Sequence, residues 1–164
     1  MTVDVDLRRS PLHDRAAELA EVLVEEPFLP QLDVRTRAGT ALGLRLPEPT
    51  HVTGDEHRAA LGLGPDEHLL IGVTGTEPGH RSVVDVSAAR TTLRLHDREL
   101  LETLCSLDLD ELTPGRCAQT PLARVPVILW RLDTGYRVLV RNSFAGHVAT
   151  ALLDARQVTS GVAQ

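Results

Sequence analysis

The chemistry this chain could perform is bounded first by its two cysteines, Cys105 and Cys117. A thiol attacks as the thiolate, which needs a cation, a base or a helix N-terminus nearby to form at neutral pH. Cys117 lies in the polar stretch Thr113-Pro114-Gly115-Arg116-Cys117-Ala118-Gln119-Thr120, which reads as loop, and Arg116 beside it could stabilise a thiolate. The sequence places no histidine next to it, so packing is the simpler reading. Cys105 shares the apolar face of an expected helix with Leu100, Leu101 and Leu104 and reads as core.

The histidines, His13, His51, His57, His68, His80, His96 and His147, form neither HExxH nor another close ligand pair. His51, Asp55 and His57 could meet a metal from one loop, but a solvated polar loop explains them as well, and no metal site is assigned. Gly72, Gly75 and Gly79 match neither GxGxxG nor a Walker loop and read as a connector. Asp108, Asp110 and Glu111 fit a solvated helix end better than a paired acid and base. Arg90, Arg94, Arg116 and Arg124 are suited to bidentate contact with carboxylates on a ligand or a partner chain. No nucleophile, base and orienting group occur together, so no catalytic residue is assigned.

Composition narrows the classes further. All 17 basic side chains are arginine, which removes lysine Schiff-base chemistry and the P-loop lysine. A net charge of -6, spread along the chain, disfavours a grip on nucleic acid. Only Phe28, Trp130, Tyr136 and Phe144 are aromatic, so few rings can stack on bases or flavins. The start, MTVDVDLRRS, has no signal-like apolar stretch, no segment has the ~20 apolar residues of a membrane span, and two unpatterned cysteines suit a reducing cytoplasm.

The elements that would position these groups fill one domain, 1–164, dividing near the glycine-rich stretch into an N-terminal part, 1–79, a second part, 80–156, and a tail, 157–164. Ala16, Leu19, Ala20, Leu23 and Val24 predict an amphipathic helix ending before Pro27. Leu42, Leu44 and Leu46 alternate as in a strand, residues 47–64 read as loop, and His68–Val73 reads as strand. Val83–Val86 and Thr91–Leu95 predict one or two strands, followed by a helix capped by Asp97. Val125–Leu132 and Tyr136–Val140 flank Asp133-Thr134-Gly135 and predict a hairpin. A last helix, capped by Asn142 or Ser143, carries Phe144, Val148, Ala151, Leu152 and Ala155. The order predicts an α+β fold: an antiparallel or mixed sheet with helices on one side, of ferredoxin-like βαββα character.

Several blocks resemble one family. The SPL tripeptide at Ser10–Leu12, LGPDEHLL from Leu63, VDVSAARTTLRL from Val84, DLDELTPGRCAQTPLA from Asp108 and LWRLDTGYRVLVRNSFAGHVATALLDA from Leu129 are similar, in order and spacing, to gamma subunits of heterotetrameric sarcosine oxidase. The resemblance implies a fold related to folate-binding aminomethyltransferase-type domains. It also implies an assembly with alpha, beta and delta chains that oxidatively demethylates sarcosine to glycine. In that family FAD, FMN, NAD, tetrahydrofolate and zinc belong to the other subunits, which leaves this chain an architectural role without a cofactor. Arg90, Arg116, Gln119, Thr120 and Arg124 are then the candidate partner surface, or a folate-like groove if the chain is a free-standing folate-binding module. A small thiol enzyme using Cys117 is the third reading.

Overall fold

The structure, a computed structural model, describes residues 7–161. Residues 1–6 and 162–164, parts of the expected leaderless start and of the expected tail, lie outside the described residues. Among the described residues the strands form two five-stranded antiparallel sheets and a two-stranded ribbon. The first sheet has the order β1 (Val24–Glu26), β9 (Arg90–Leu95), β12 (Tyr136–Arg141), β11 (Val125–Arg131), β10 (Cys117–Leu122). The second has the order β5 (Val52–Gly54), β6 (Ala59–Gly62), β7 (Glu67–Ile71), β2 (Gln31–Arg35), β8 (Ser82–Asp85).

Alternation along the strands explains the layers. On β11, Val127 and Leu129 face helices while Ile128 and Trp130 face the second sheet. On β12, Tyr136, Val138 and Val140 take the helix side and Leu139 the other. Both faces are covered, and this is why Val127–Trp130 and Val138–Val140 read as unbroken apolar runs. The helix side is closed by α2 (Arg98–Leu104) and α3 (Asn142–Gly161). Asp97 caps α2, accepting from the Glu99 and Leu100 amides at 3.0 and 3.3 Å. On α3, Ala145 and Ala149 are fully buried beside Val148 and Leu152, whereas Phe144 and Ala151 are only half-buried.

The second sheet alternates likewise. Ala59, Leu61, Leu69 and Ile71 meet the first sheet, while Ala60, Leu70, Leu32 and Val34 meet a ribbon of β3 (Thr40–Ala41) and β4 (Leu44–Arg45). The edges of the two sheets touch where His51 and Arg116 form an antiparallel bridge and the Cys117 amide donates to the Thr50 carbonyl at 3.0 Å.

The α+β class, with helices on one side of an antiparallel sheet, is as expected from the sequence; the second sheet on the other side is not. Several local readings are corrected. The first helix, α1 (Ala16–Leu19), is one turn long, because the chain turns out to place Val24–Glu26 as the edge strand beside β9. Leu42, Leu44 and Leu46 belong to a ribbon that reverses at Leu42 and Gly43, whose φ values are 47° and 76°. Residues 47–64 contain the β5–β6 hairpin, and Ala59, Ala60 and Leu61 have no exposed surface. Cys117–Thr120 is strand, not loop, so the second part has three strands between α2 and α3 where the βαββα order has two. β12 nevertheless lies between β9 and β11, as in a split β-α-β unit. α3 continues to Gly161, through residues expected in the tail. The two expected parts also share both sheets, since β1 lies beside β9 and β8 beside β2.

A charged cluster ties the sheets together. Arg137, 3% exposed, projects from β12 toward the second sheet with its guanidinium 4.9 Å from the Trp130 ring centre. It donates to Glu26 at 2.7 and 3.3 Å and to the Glu56 carbonyl, in the β5–β6 turn, at 2.7 Å. Arg94, its register partner on β9, donates to Glu26 at 2.9 Å and to the Glu56 carboxylate. Arg94 holds the Glu56 carboxyl below the usual carboxylate range. Removing one member of such a cluster leaves charge without compensation, so Arg137→Ala is expected to cost about 3 kcal/mol. Urea unfolding measures this, and a loss under about 1 kcal/mol, the worth of a surface pair, would contradict it.

Candidate functional site

The fold separates the candidate residues. Arg90 and Arg141 are register partners at the ends of β9 and β12, four residues along the same strands from Arg94 and Arg137. With Gln119, Pro121 and Pro126 they line an open groove of about 300 Å³ beside the edge strand β10. Arg90 is half-buried and Arg141 exposed, and among the described residues neither guanidinium has a hydrogen bond or ion pair. Burial lowers the Arg90 pKa, Asp33 and Glu67 oppose that, and the positive charge of Arg141 adds to it. Those two acids are already engaged by Arg35, at 3.9 Å from Asp33 and 2.9 Å from Glu67.

Gln119 donates its side-chain amide to the Leu63 carbonyl at 3.0 Å, spanning the gap where the sheet edges part. Thr120 also borders the groove, but its hydroxyl lies 3.6 Å from the Cys105 sulfur on the helix side. Arg116 is spent internally, donating to the Thr50 carbonyl at 3.1 Å and hydroxyl at 3.0 Å. Arg124 is exposed in the β10–β11 turn at φ 69° and does not line the groove. Three of the five candidates, Arg90, Gln119 and Thr120, therefore converge, and Arg116 and Arg124 stand apart. Arg141 was missed by sequence reasoning. Its only signal was an arginine ending a strong strand, and which strand lay beside it could not be read.

Cys117 is 1% exposed, its sulfur 3.7 Å from both the His51 and Gly62 carbonyls. Burial pushes its thiol up to about 12, overriding the opposing charge of Arg116. The thiol-enzyme reading is corrected: a thiol in this site does not ionise near neutrality. Cys105 is also buried. His51 contacts the Pro49 carbonyl at 3.0 Å, while Asp55 accepts from the His57 and Arg58 amides at 2.8 and 2.9 Å, closing its own turn. Among the described residues no three His, Cys, Asp or Glu side chains are grouped to hold a metal. Gly72–Gly79 connects β7 to β8. Asp110 pairs with Arg98 at 2.7 Å at the surface.

A direct check on the thiols is alkylation of the native chain at pH 8. Cys117 is expected to react at least about 100-fold more slowly than a model thiol, whose pKa is near 8.5, and to label fully in denaturant. Labelling at the model rate in the native state would contradict the buried, protonated thiol.

The comparisons with known proteins come out consistently. No family model matches the chain. It is similar to the sarcosine oxidase subunit gamma of Corynebacterium sp. (strain U-96), with 36% identity over 94% of this chain and 93% of that protein. It is similar to the subunit of the same name from Arthrobacter sp., with 35% identity over 91% and 90%. Among solved structures, a chain of the heterotetrameric sarcosine oxidase from Corynebacterium sp. U-96, in complex with pyrrole 2-carboxylate, matches with a TM-score of 0.80 and 34% identity. That match covers 91% of this chain and 94% of the other. Identity at this level, extending over nearly the whole of both chains and joined to a shared fold, shows that the chain belongs to the family of sarcosine oxidase gamma subunits.

Proposed function

We propose that this chain is a structural subunit, without catalytic residues of its own, of a heterotetrameric sarcosine oxidase that oxidatively demethylates sarcosine to glycine. The observation that carries the reading is the match, at near full length on both sides, to a chain of a solved heterotetrameric sarcosine oxidase. Its partners are then the alpha, beta and delta subunits. FAD, FMN, NAD and tetrahydrofolate are carried by those partners, and the assembly works in the cytoplasm. No helix of the described residues is long and apolar enough to cross a membrane.

Physical chemistry supports the architectural role. The cysteine best placed for catalysis in the sequence is held protonated in the core. Arg94, Arg116 and Arg137 are consumed in holding strands and sheets together. On the helix-backed sheet, Arg90, Arg141 and Gln119 line the groove and Arg124 lies exposed on the β10–β11 turn, a distribution that suits the polar rim of a subunit contact. Buried charges that are fully compensated fix a shape; uncompensated ones at a surface recognise something else.

The test is to tag this chain in its native cell, isolate it under mild salt and identify its companions. Three companion chains, a flavin absorbance spectrum and oxidation of sarcosine by the purified assembly are expected. Recovery of this chain alone, colourless, from cells that oxidise sarcosine would overturn the proposal.

A further inference from the structure

We infer that Arg90 and Arg141 form a fork that receives the carboxylate of an Asp or Glu side chain on a partner subunit. This rests on the reading of the chain as a subunit.

The molecule supplies its own comparison. β9 and β12 carry two cross-strand arginine pairs on the same face, Arg94 with Arg137 and Arg90 with Arg141. At the first pair Glu26 and Glu56 supply carboxylates from within the chain, and Arg137 donates to both oxygens of Glu26. The second pair has the same register and the same strands, but among the described residues no carboxylate lies within ion-pair distance. Two adjacent guanidiniums, one half-buried, repel each other and lose hydration, a cost that a shared carboxylate removes. Asp33 and Glu67 favour the charged form of Arg90 but are held by Arg35. The chain is acidic overall, at -6, so this local excess of positive charge is not part of a general basic surface.

The shape of the groove selects the source of the carboxylate. A small-molecule site encloses most of its ligand. This groove is open, holds about 300 Å³, leaves Arg141 exposed and is lined by Pro121, Pro126 and Ile128 beside the edge of a sheet. An acidic side chain brought in on a neighbouring protein surface fits it: the partner's backbone stays outside, the carboxylate meets the fork, and Pro121 keeps the open edge of β10 from pairing further as a strand. On the other side of Arg90, Arg8 lies 4.8 Å over the half-exposed Phe28 ring at the rim of a larger hollow of about 620 Å³. The partner surface can therefore continue past the fork over a cation and an exposed ring.

The experiment uses the complete assembly, purified through a tag on another subunit, with this chain as wild type, Arg141→Glu or the control Arg37→Glu. Arg37 is exposed and does not line the groove. Arg141→Glu is expected to lower retention of this chain at least tenfold and to remove most of the salt sensitivity of its release. Its own melting temperature should stay within a few degrees of wild type, and Arg37→Glu should behave as wild type. Equal retention of wild type and Arg141→Glu across salt concentrations, with all companions present, overturns the fork while leaving the subunit reading intact. Absence of any companion overturns both. Micromolar binding of free glutamate or a folate polyglutamate by the isolated wild-type chain, abolished by Arg141→Glu, overturns the partner side chain in favour of a small-molecule carboxylate.

Discussion

Arg137 leaves the centre of the helix-backed sheet on the side facing the second sheet, and groups from both sheets satisfy it. A guanidinium with 3% exposure would be prohibitive without partners. Its stacking on Trp130 and its bonds to Glu26 and the Glu56 carbonyl supply them from a strand of one sheet and a turn of the other. The requirement sets where β1 must lie, since only Val24–Glu26 paired with β9 brings Glu26 over the β9–β12 boundary. It also sets where the β5–β6 turn must reach. The apolar contacts of Ile128, Trp130, Leu139, Leu61 and Leu69 provide most of the driving force, yet they would tolerate a slide of one sheet over the other more readily than the forked charges do.

Four residues further along the same strands, Arg90 and Arg141 repeat the cross-strand pairing without the acids, and a groove lies beside them. The same device, two arginines abreast on β9 and β12, thus stabilises the fold where the chain supplies the carboxylate and presents an unsatisfied surface where it does not. The remaining reactive candidate of the sequence, Cys117, is a buried, protonated thiol, and the surface that the fold presents beside it is the groove.

How much of this was legible in the residues depended on whether the signal was local. The β11–β12 hairpin, the Asp97-capped helix and α3 follow from short-range patterns: a glycine turn, an N-cap, an apolar face. The helix expected to reach Val24 stops at Leu19 because pairing with β9 outweighs the helical pattern of the residues beyond it; Val24 itself is 57% exposed on the edge. The β5–β6 hairpin hid among prolines and glycines, and β10 hid because Pro121 is tolerated on an edge strand and because its turn uses Ala123 and Arg124, both at positive φ, in place of glycine or asparagine. The groove was half legible. Arg90 stood out as an arginine suited to carboxylates and Gln119 as part of a polar segment, but Arg141 joins them only through a strand order that no local pattern encodes.

The most direct measurement is turnover by the chain alone. Purified without companions and supplied with sarcosine and an electron acceptor, it should form no glycine above background and carry no stoichiometric flavin, because both cysteines are buried and Arg94, Arg116 and Arg137 are engaged within its own fold. Glycine formation at a catalytic rate, or a flavin retained through purification, would contradict the account.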